Sequence, residues 1–220
     1  MPAAPLPPAV HDRTAGAAAA PPAGPARALP WVLTVGGAAG LLAAVDLTYE
    51  RLRLALDPTY VPTCSVNPLI DCGTVASSPQ ASVLGGGFPN TLLGVVGFSV
   101  VLTLGVLALC GVALPRPVRW GLQAGVLAGL AFVHWLVGVS VFVLGVLCPY
   151  CMVVWVVVVV LAVYVTLTNA VDGLLGRRVA DSELVRTLAT LHAAPAVVWV
   201  AGLVALLGVV FAEQWAAMLA

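Results

Sequence analysis

The chain has 220 residues, 61% of them hydrophobic and 8% charged, and its nine basic residues balance its nine acidic ones. A soluble domain carries about 25% charged residues, so this composition excludes one and belongs to a polytopic protein surrounded by membrane lipid. All nine basic residues are Arg, and nothing in their spacing gives a surface for nucleic acid.

Residues 1–30 are an Ala/Pro-rich tail without a continuous apolar stretch of the signal-peptide kind. The tail is expected to be disordered. A first span begins near Trp31 and is apolar to Val45. Asp46, Glu50, Arg51 and Arg53 follow on a pattern that still reads as helix, an amphipathic extension to Leu56. Asp46 is deep enough to be either a functional carboxylate or one paired with a nearby Arg at the interface.

Asp57 to Pro89 is a long loop with Cys64, Cys72, Ser77, Ser78 and Gly85-Gly86-Gly87, and with no Lys or Arg. Its Val61, Val66, Leu69, Ile70, Val75, Val83, Leu84 and Phe88 make it a cap packed on the membrane face. The second span runs from about Thr91 to Leu114. Pro115 to Arg119 is a tight turn, the third span runs from Trp120 to Leu147, and the fourth from Pro149 to Val171. Residues 172–192 form a polar, helical connector with Arg177, Arg178 and Arg186, and residues 193–220 hold a fifth span. Each run approaches the roughly 20 residues a crossing helix needs, the first only with its extension.

Arg placement sets the orientation. Arg13 and Arg27 lie in the tail, Arg116 and Arg119 in the second-to-third turn, and three Arg in the connector. These outweigh Arg51 and Arg53 at the far end of the first span. The N-terminus is then cytoplasmic and both cysteine pairs lie on the outer face.

Cys148-Pro149-Tyr150-Cys151 opens the fourth span. Two cysteines at i and i+3 share one helix face, and a helix N-terminus favours the thiolate, the reactive form. Pro149 suits the first helical position. The pair reads as a redox centre, with a zinc half-site or a plain disulfide as the other uses of such spacing. With Cys64 and Cys72 on a loop above it, a mobile pair faces a soluble partner and passes electrons to a fixed pair at lipid depth.

Cys64, Cys72, Ser77-Ser78, Asn90 four residues before Gly94, and the C-x-x-C opening the fourth span resemble, in that order, the bacterial form of the vitamin K epoxide reductase family. The resemblance covers about Trp31 to Val171. In the DsbB family the C-x-x-C comes in the first outer loop, a poorer match.

The resemblance implies an all-α integral membrane protein, a four-helix catalytic bundle around a quinone with an extracytoplasmic cap, plus the fifth transmembrane helix. It implies that Cys64 takes electrons from a partner dithiol, Cys72 attacks Cys148, and Cys151 reduces the quinone. Asn90 matches a residue bonded to a quinone carbonyl, and Ser78 the loop serine beside the site. Trp155 stands where vertebrate members place a tyrosine donor. Phe88, Trp135 and Trp155 are candidates to stack on the quinone ring.

The partner it implies is a thioredoxin-fold exported protein of the DsbA type, separate because this chain ends at Ala220. The acceptor is menaquinone or ubiquinone, the site uses no metal, and the setting is a bacterial plasma membrane. Two rival readings stay open. One is a quinone or epoxide reductase acting for the quinone's sake. The other is a transport or scaffold subunit with a structural disulfide or zinc. His134, deep in the third span, is either a proton relay or bonded to a neighbouring helix. Cys110 and Glu213 read as packing and interface residues.

Overall fold

The longest apolar stretch sets the frame. In the computed structural model, which describes residues 24–83 and 87–219, Pro25–Leu56 is one helix, α1. It starts six residues ahead of Trp31, so the last part of the expected tail is helical, and the earlier part lies outside the described residues. Gly24, at φ 63°, turns the chain into the helix, and Pro25 takes its first position. At 1.5 Å per residue α1 is about 48 Å long, well beyond a hydrocarbon core of about 30 Å. Its last turns therefore stand in the cap, not in the apolar layer.

The other spans are α3 (Asn90–Leu109), α4 (Arg116–Gly138) and α5 (Pro149–Val171); α2 belongs to the cap. Arg116 to Arg119, expected as a turn, are the first turn of α4. Pro115 precedes the helix and Pro117 fits its N-terminal turn, where a missing N–H costs nothing. Among the described residues these four helices are each long and apolar enough to cross a membrane.

Helix α1 packs along α3 and α5, and α4 along α5. Glycines permit the α1–α3 approach. A Cβ on Gly105 would lie 2.5 Å from the Thr34 amide nitrogen, and one on Gly37 2.6 Å from that of Leu102. Leu33, Phe98, Val133, Trp155, Leu161 and Val165 fill the core.

The bundle has two chemically different ends. At one, the Arg119 guanidinium donates to Asn169 Oδ1 at 2.8 Å and pairs with Asp172 at 2.7 Å. Asn169 in turn donates to Gln123 Oε1, and Gln123 to Thr166 Oγ1, each at 2.9 Å. This chain of bonds ties the start of α4 to the end of α5. At the other end α4 passes into a π-helical turn, Val139–Leu144, so regular helix stops short of the expected Leu147. Ser140 Oγ donates to the Val146 carbonyl, and Gly145, at φ 66°, provides the left-handed residue that ends the helix. The chain then runs extended into Cys148.

After α5 come α6 (Arg177–Ala180), α7 (Glu183–Thr190), α8 (Ala194–Val210) and α9 (Ala212–Leu219). The expected fifth span is broken at Phe211, a residue buried to 2% exposure. Helix α8 has 17 residues and meets α7 at a 74° bend. It qualifies as a span only when the bent pair is taken together.

Candidate active site

The cap is built on the disulfide Cys64–Cys72. Cys72 begins a short helix, α2 (Cys72–Ser77), and Asp71 caps it, its carboxylate accepting from the Gly73 and Thr74 amides. A three-residue 3-10 turn, Pro79–Ala81, leads to β1 (Ser82–Val83), which pairs antiparallel with β2 (Phe88–Pro89). Leu84, Gly85 and Gly86, between the two strands, lie outside the described residues. Apolar cap residues do not all turn inward: Leu69 is buried, whereas Val61 and Val66 are exposed.

Six bonds place the cap. Leu147 N donates to Leu69 O at 2.7 Å, and Asp71 N donates to Leu147 O at 3.0 Å. These join Leu69 and Asp71, the latter immediately before Cys72, to the residue before Cys148. Further along, the Arg51 guanidinium donates to Ala81 O and to Ser82 Oγ, the latter at 2.8 Å. Asn90 Nδ2 donates to Gln80 O at 2.7 Å. Glu50, buried in the last turns of α1, accepts from Thr63 Oγ1 at 2.6 Å, next to Cys64.

The sulfurs follow from this scaffold. Cys72 Sγ is 3.4 Å from Cys148 Sγ, and both residues are fully buried. Cys148 and Cys151 are free thiols. Cys148 is the N-cap of α5, its sulfur accepting from the Cys151 amide at 3.4 Å. The Cys151 thiol beside it, together with the Cys151 and Tyr150 amides, holds the Cys148 thiol below its ordinary pKa, against burial and the Asp71 charge. Asp71 is also held low. Its burial acts upward, and the donors Ser65, Thr74 and the Gly73 and Thr74 amides outweigh it.

On the far side of Cys151 lies a cavity of about 810 Å³ between α1, α3, α4 and α5, roofed by the cap. Its walls are almost wholly apolar, and among the described residues lining it Arg51 alone is charged. Four polar atoms of lining residues are buried without a partner: Gln80 Oε1, Asn90 Oδ1, Thr91 Oγ1 and Trp155 Nε1. Buried polar groups are normally hydrogen-bonded, so four orphans around one apolar cavity mark a place for a mainly apolar ligand with a few polar atoms.

Cys151, Ser78, Asn90 and Trp155 all line this cavity. The Ser78 hydroxyl is already used, donating to Val75 O at 2.8 Å. Phe88 is not among the residues that line the cavity, and it is 47% exposed on β2. Trp135 also points outward. His134 lies outside the cavity too. Trp199 Nε1 of α8 donates to its Nε2 at 2.9 Å, so it is bonded to a neighbouring helix. Asp46 is exposed and forms no ion pair among the described residues, so it is not paired with an Arg. As a disulfide, Cys64 and Cys72 supply no thiolates for a zinc site.

The sequence reading missed Arg51, Gln80, Thr91 and Asp71 as site residues. Asp71 carried a usable signal, an Asp immediately before Cys72 with Thr three residues on. Arg51 carried one in its position, at the end of a helix too long for the membrane.

No curated protein matches the chain by sequence. The model of the vitamin K epoxide reductase family matches residues 31–166, spanning α1 to most of α5 with the whole cap. The chain therefore belongs to the vitamin K epoxide reductase family, and is a membrane oxidoreductase of the thiol–disulfide and quinone class.

Proposed function

We propose that this protein oxidises a thioredoxin-fold exported partner of the DsbA type and passes the electrons through Cys64, Cys72, Cys148 and Cys151 to a quinone, menaquinone or ubiquinone. The 3.4 Å approach of Cys72 to Cys148 carries the reading. Exchange needs a thiolate and a disulfide sulfur in reach of one another, and no structural disulfide needs a buried dithiol beside it. Cys64, the least buried of the three clustered sulfurs at 8% exposure, is the one for a partner to attack.

When bound, the quinone accepts two electrons and two protons. Its apolar ring and tail suit the cavity walls, and the Trp155 indole N–H and the Thr91 hydroxyl are donors for its oxygens. Asn90 has already committed one amide hydrogen to Gln80 O, and its unpaired Oδ1 is an acceptor suited to the hydroxyl of the reduced product. Cys151 lines that cavity and is the thiol to deliver electrons there.

The Arg-bearing end of the bundle, with Arg119 and Asp172 joined, lies opposite the cysteines. With the positive-inside tendency, this supports a reading with the cysteines on the outer face of a bacterial plasma membrane, and so export-side disulfide formation over a reaction run for the quinone.

The test is reconstitution of the purified full chain with a reduced thioredoxin-fold exported protein and a soluble quinone. Loss of two partner thiols for each quinone reduced supports the reading. Quinone reduction by a small dithiol but by no such protein would overturn the partner assignment.

A further inference from the structure

The nine-residue stretch Cys64 to Cys72 is closed twice. The covalent closure is the disulfide. The second is polar and lies immediately beside it. The Ser65 hydroxyl donates to Asp71 Oδ1 and accepts from the Gly73 amide at 3.2 Å, and the same amide reaches Asp71 Oδ1 at 2.9 Å. Ser65 follows Cys64, while Asp71 and Gly73 flank Cys72, so these bonds join the same two strands of chain as the sulfurs do. Gly73 leaves room for the arrangement, since a Cβ there would lie 3.2 Å from Asp71 Oδ1. Deeper in the loop, Asn67 Oδ1 accepts from the Leu69 and Ile70 amides, and Val66 N donates to Ile70 O. An ordinary N-cap would need the Gly73 and Thr74 amides alone; the reach back to Ser65 is additional.

We propose that Ser65 and Asp71 form a polar clasp that keeps Cys64 beside Cys72 while the disulfide is open, so that Cys64 recloses onto Cys72 and expels Cys148. The inference rests on the relay proposed above. In that relay Cys72 is bonded to Cys148 for part of the cycle and Cys64 is free. The Cys64 thiolate then attacks Cys72 Sγ. The Cys64–Cys72 bond forms, the Cys72–Cys148 bond breaks, and the electron pair leaves on the Cys148 sulfur. Cys148 and Cys151 thereby hold the two electrons taken from the partner dithiol, the arrangement seen in this structure. A free loop end would leave this step to chance encounter, whereas a held one makes it intramolecular at high effective concentration. Ser65 and Asp71 are positioning residues, since neither touches the reacting sulfurs.

Because the clasp and the disulfide close one loop, each stabilises the other. The test is a redox titration of the full chain with both Cys148 and Cys151 changed to Ala, using reduced and oxidised glutathione as the probe. Ser65→Ala removes one hydroxyl and Asp71→Ala the carboxylate, and Ser65→Thr restores the hydroxyl. Loss of the Ser65 bond to the Asp71 carboxylate and of the neutral Gly73–Ser65 bond is expected to make the Cys64–Cys72 bridge about five- to tenfold easier to reduce, with Ser65→Thr near the parent. A purely structural role would lower thermal stability and leave that equilibrium unmoved, and such a result overturns the clasp. Failure of Cys72 and Cys148 to bridge in the double variant Cys64→Ser with Cys151→Ser, which has no resolving thiol on either side, overturns the underlying relay instead, whatever the titration gives.

Discussion

Leu147 accepts the amide of Asp71 and donates its own to Leu69, so the residue ahead of Cys148 sits in the backbone between the two residues that lead into the segment ending at Cys72. This pairing of cap to bundle puts Cys72 Sγ 3.4 Å from Cys148 Sγ with no side chain of the membrane layer involved. The Cys72 and Cys148 sulfurs are thus registered by two backbone bonds among three residues, Leu69, Asp71 and Leu147.

Trapping follows from that register. With Cys64→Ser and Cys151→Ser together, a bridge between Cys72 and Cys148 has no resolving thiol on either side, and the species is expected to accumulate. Non-reducing peptide mapping identifies it. Leu147→Pro deletes the amide that bonds Leu69. It is expected to lower the trapped fraction severalfold, even where the four spanning helices persist by circular dichroism.

Arg51 joins α1 to the cap at a second place, through Ala81 O and Ser82 Oγ. Hydrogen bonds from a charged donor contribute about 1.5–3 kcal/mol when buried, less here because Arg51 is only half-buried. Arg51→Met keeps the apolar stem and removes the donors. Amide exchange in residues 81–83 is expected to accelerate about tenfold, the energetic equivalent of about 1.4 kcal/mol, while Cys72–Cys148 trapping is retained. Equal loss of both would show that the two attachments act as one.

How much of this was legible beforehand depends on what kind of contact is at issue. Helices α1, α3, α4 and α5 were legible because hydropathy alone demands them, and the C-x-x-C announced itself by standing at a helix start. The side on which Phe88 falls was not legible, because an aromatic near the site can face in or out and no local pattern sets which. The break at Phe211 and the π-turn at Val139–Leu144 have no single-residue signature in a run of valines and leucines. Arg51 was read for its charge, as evidence about orientation, and its bonds to residues 30 positions away depend on tertiary placement that no local pattern encodes. Asp71 is different: the cap it forms was local and could have been read from Asp-Cys-Gly-Thr.

Trp155 is buried to 1% exposure with its Nε1 unpaired. Leaving a buried donor unmet costs about 1–3 kcal/mol, so the native side chain is poorly explained by packing alone. Trp155→Phe removes the donor and keeps an aromatic ring. Without ligand its melting temperature is expected to equal or approach that of the parent. Stabilisation by added quinone is expected to fall, with KM for quinone about tenfold higher and kcat changed less. Unaltered KM would mean that the indole N–H faces no quinone oxygen.

The α1–α3 seam makes a separate prediction about stability. Gly105 and Gly37 sit where a Cβ meets backbone atoms of the other helix, not the tip of a flexible side chain. Such overpacking costs about 1–3 kcal/mol. Gly105→Ala is expected to lower the detergent melting temperature by several degrees. Gly125→Ala on α4, where nothing lies within 4 Å of a built Cβ, is expected to leave it unchanged or raise it slightly, because alanine favours helix over glycine.

Two titrating groups at the site respond to pH in the same sense, because each acts in its deprotonated form. Asp71 has its carboxyl pKa held below the ordinary range by its four donors. Its contribution to cap stability is therefore fully present above the unfolded value and lost as pH falls through the depressed folded one. Cys148 has its thiol held below the ordinary range, with the Cys151 thiol the largest cause. The reverse exchange, attack by Cys148 on the Cys64–Cys72 bridge, requires the thiolate, so its rate is expected to rise with pH and reach half its plateau at lower pH than an ordinary thiol would. Cys151→Ala removes the principal stabilising donor and is expected to move that midpoint upward. Stopped-flow trapping across pH 5 to 10 measures it, and a midpoint unmoved in Cys151→Ala would assign the lowered pKa to the helix-start amides alone.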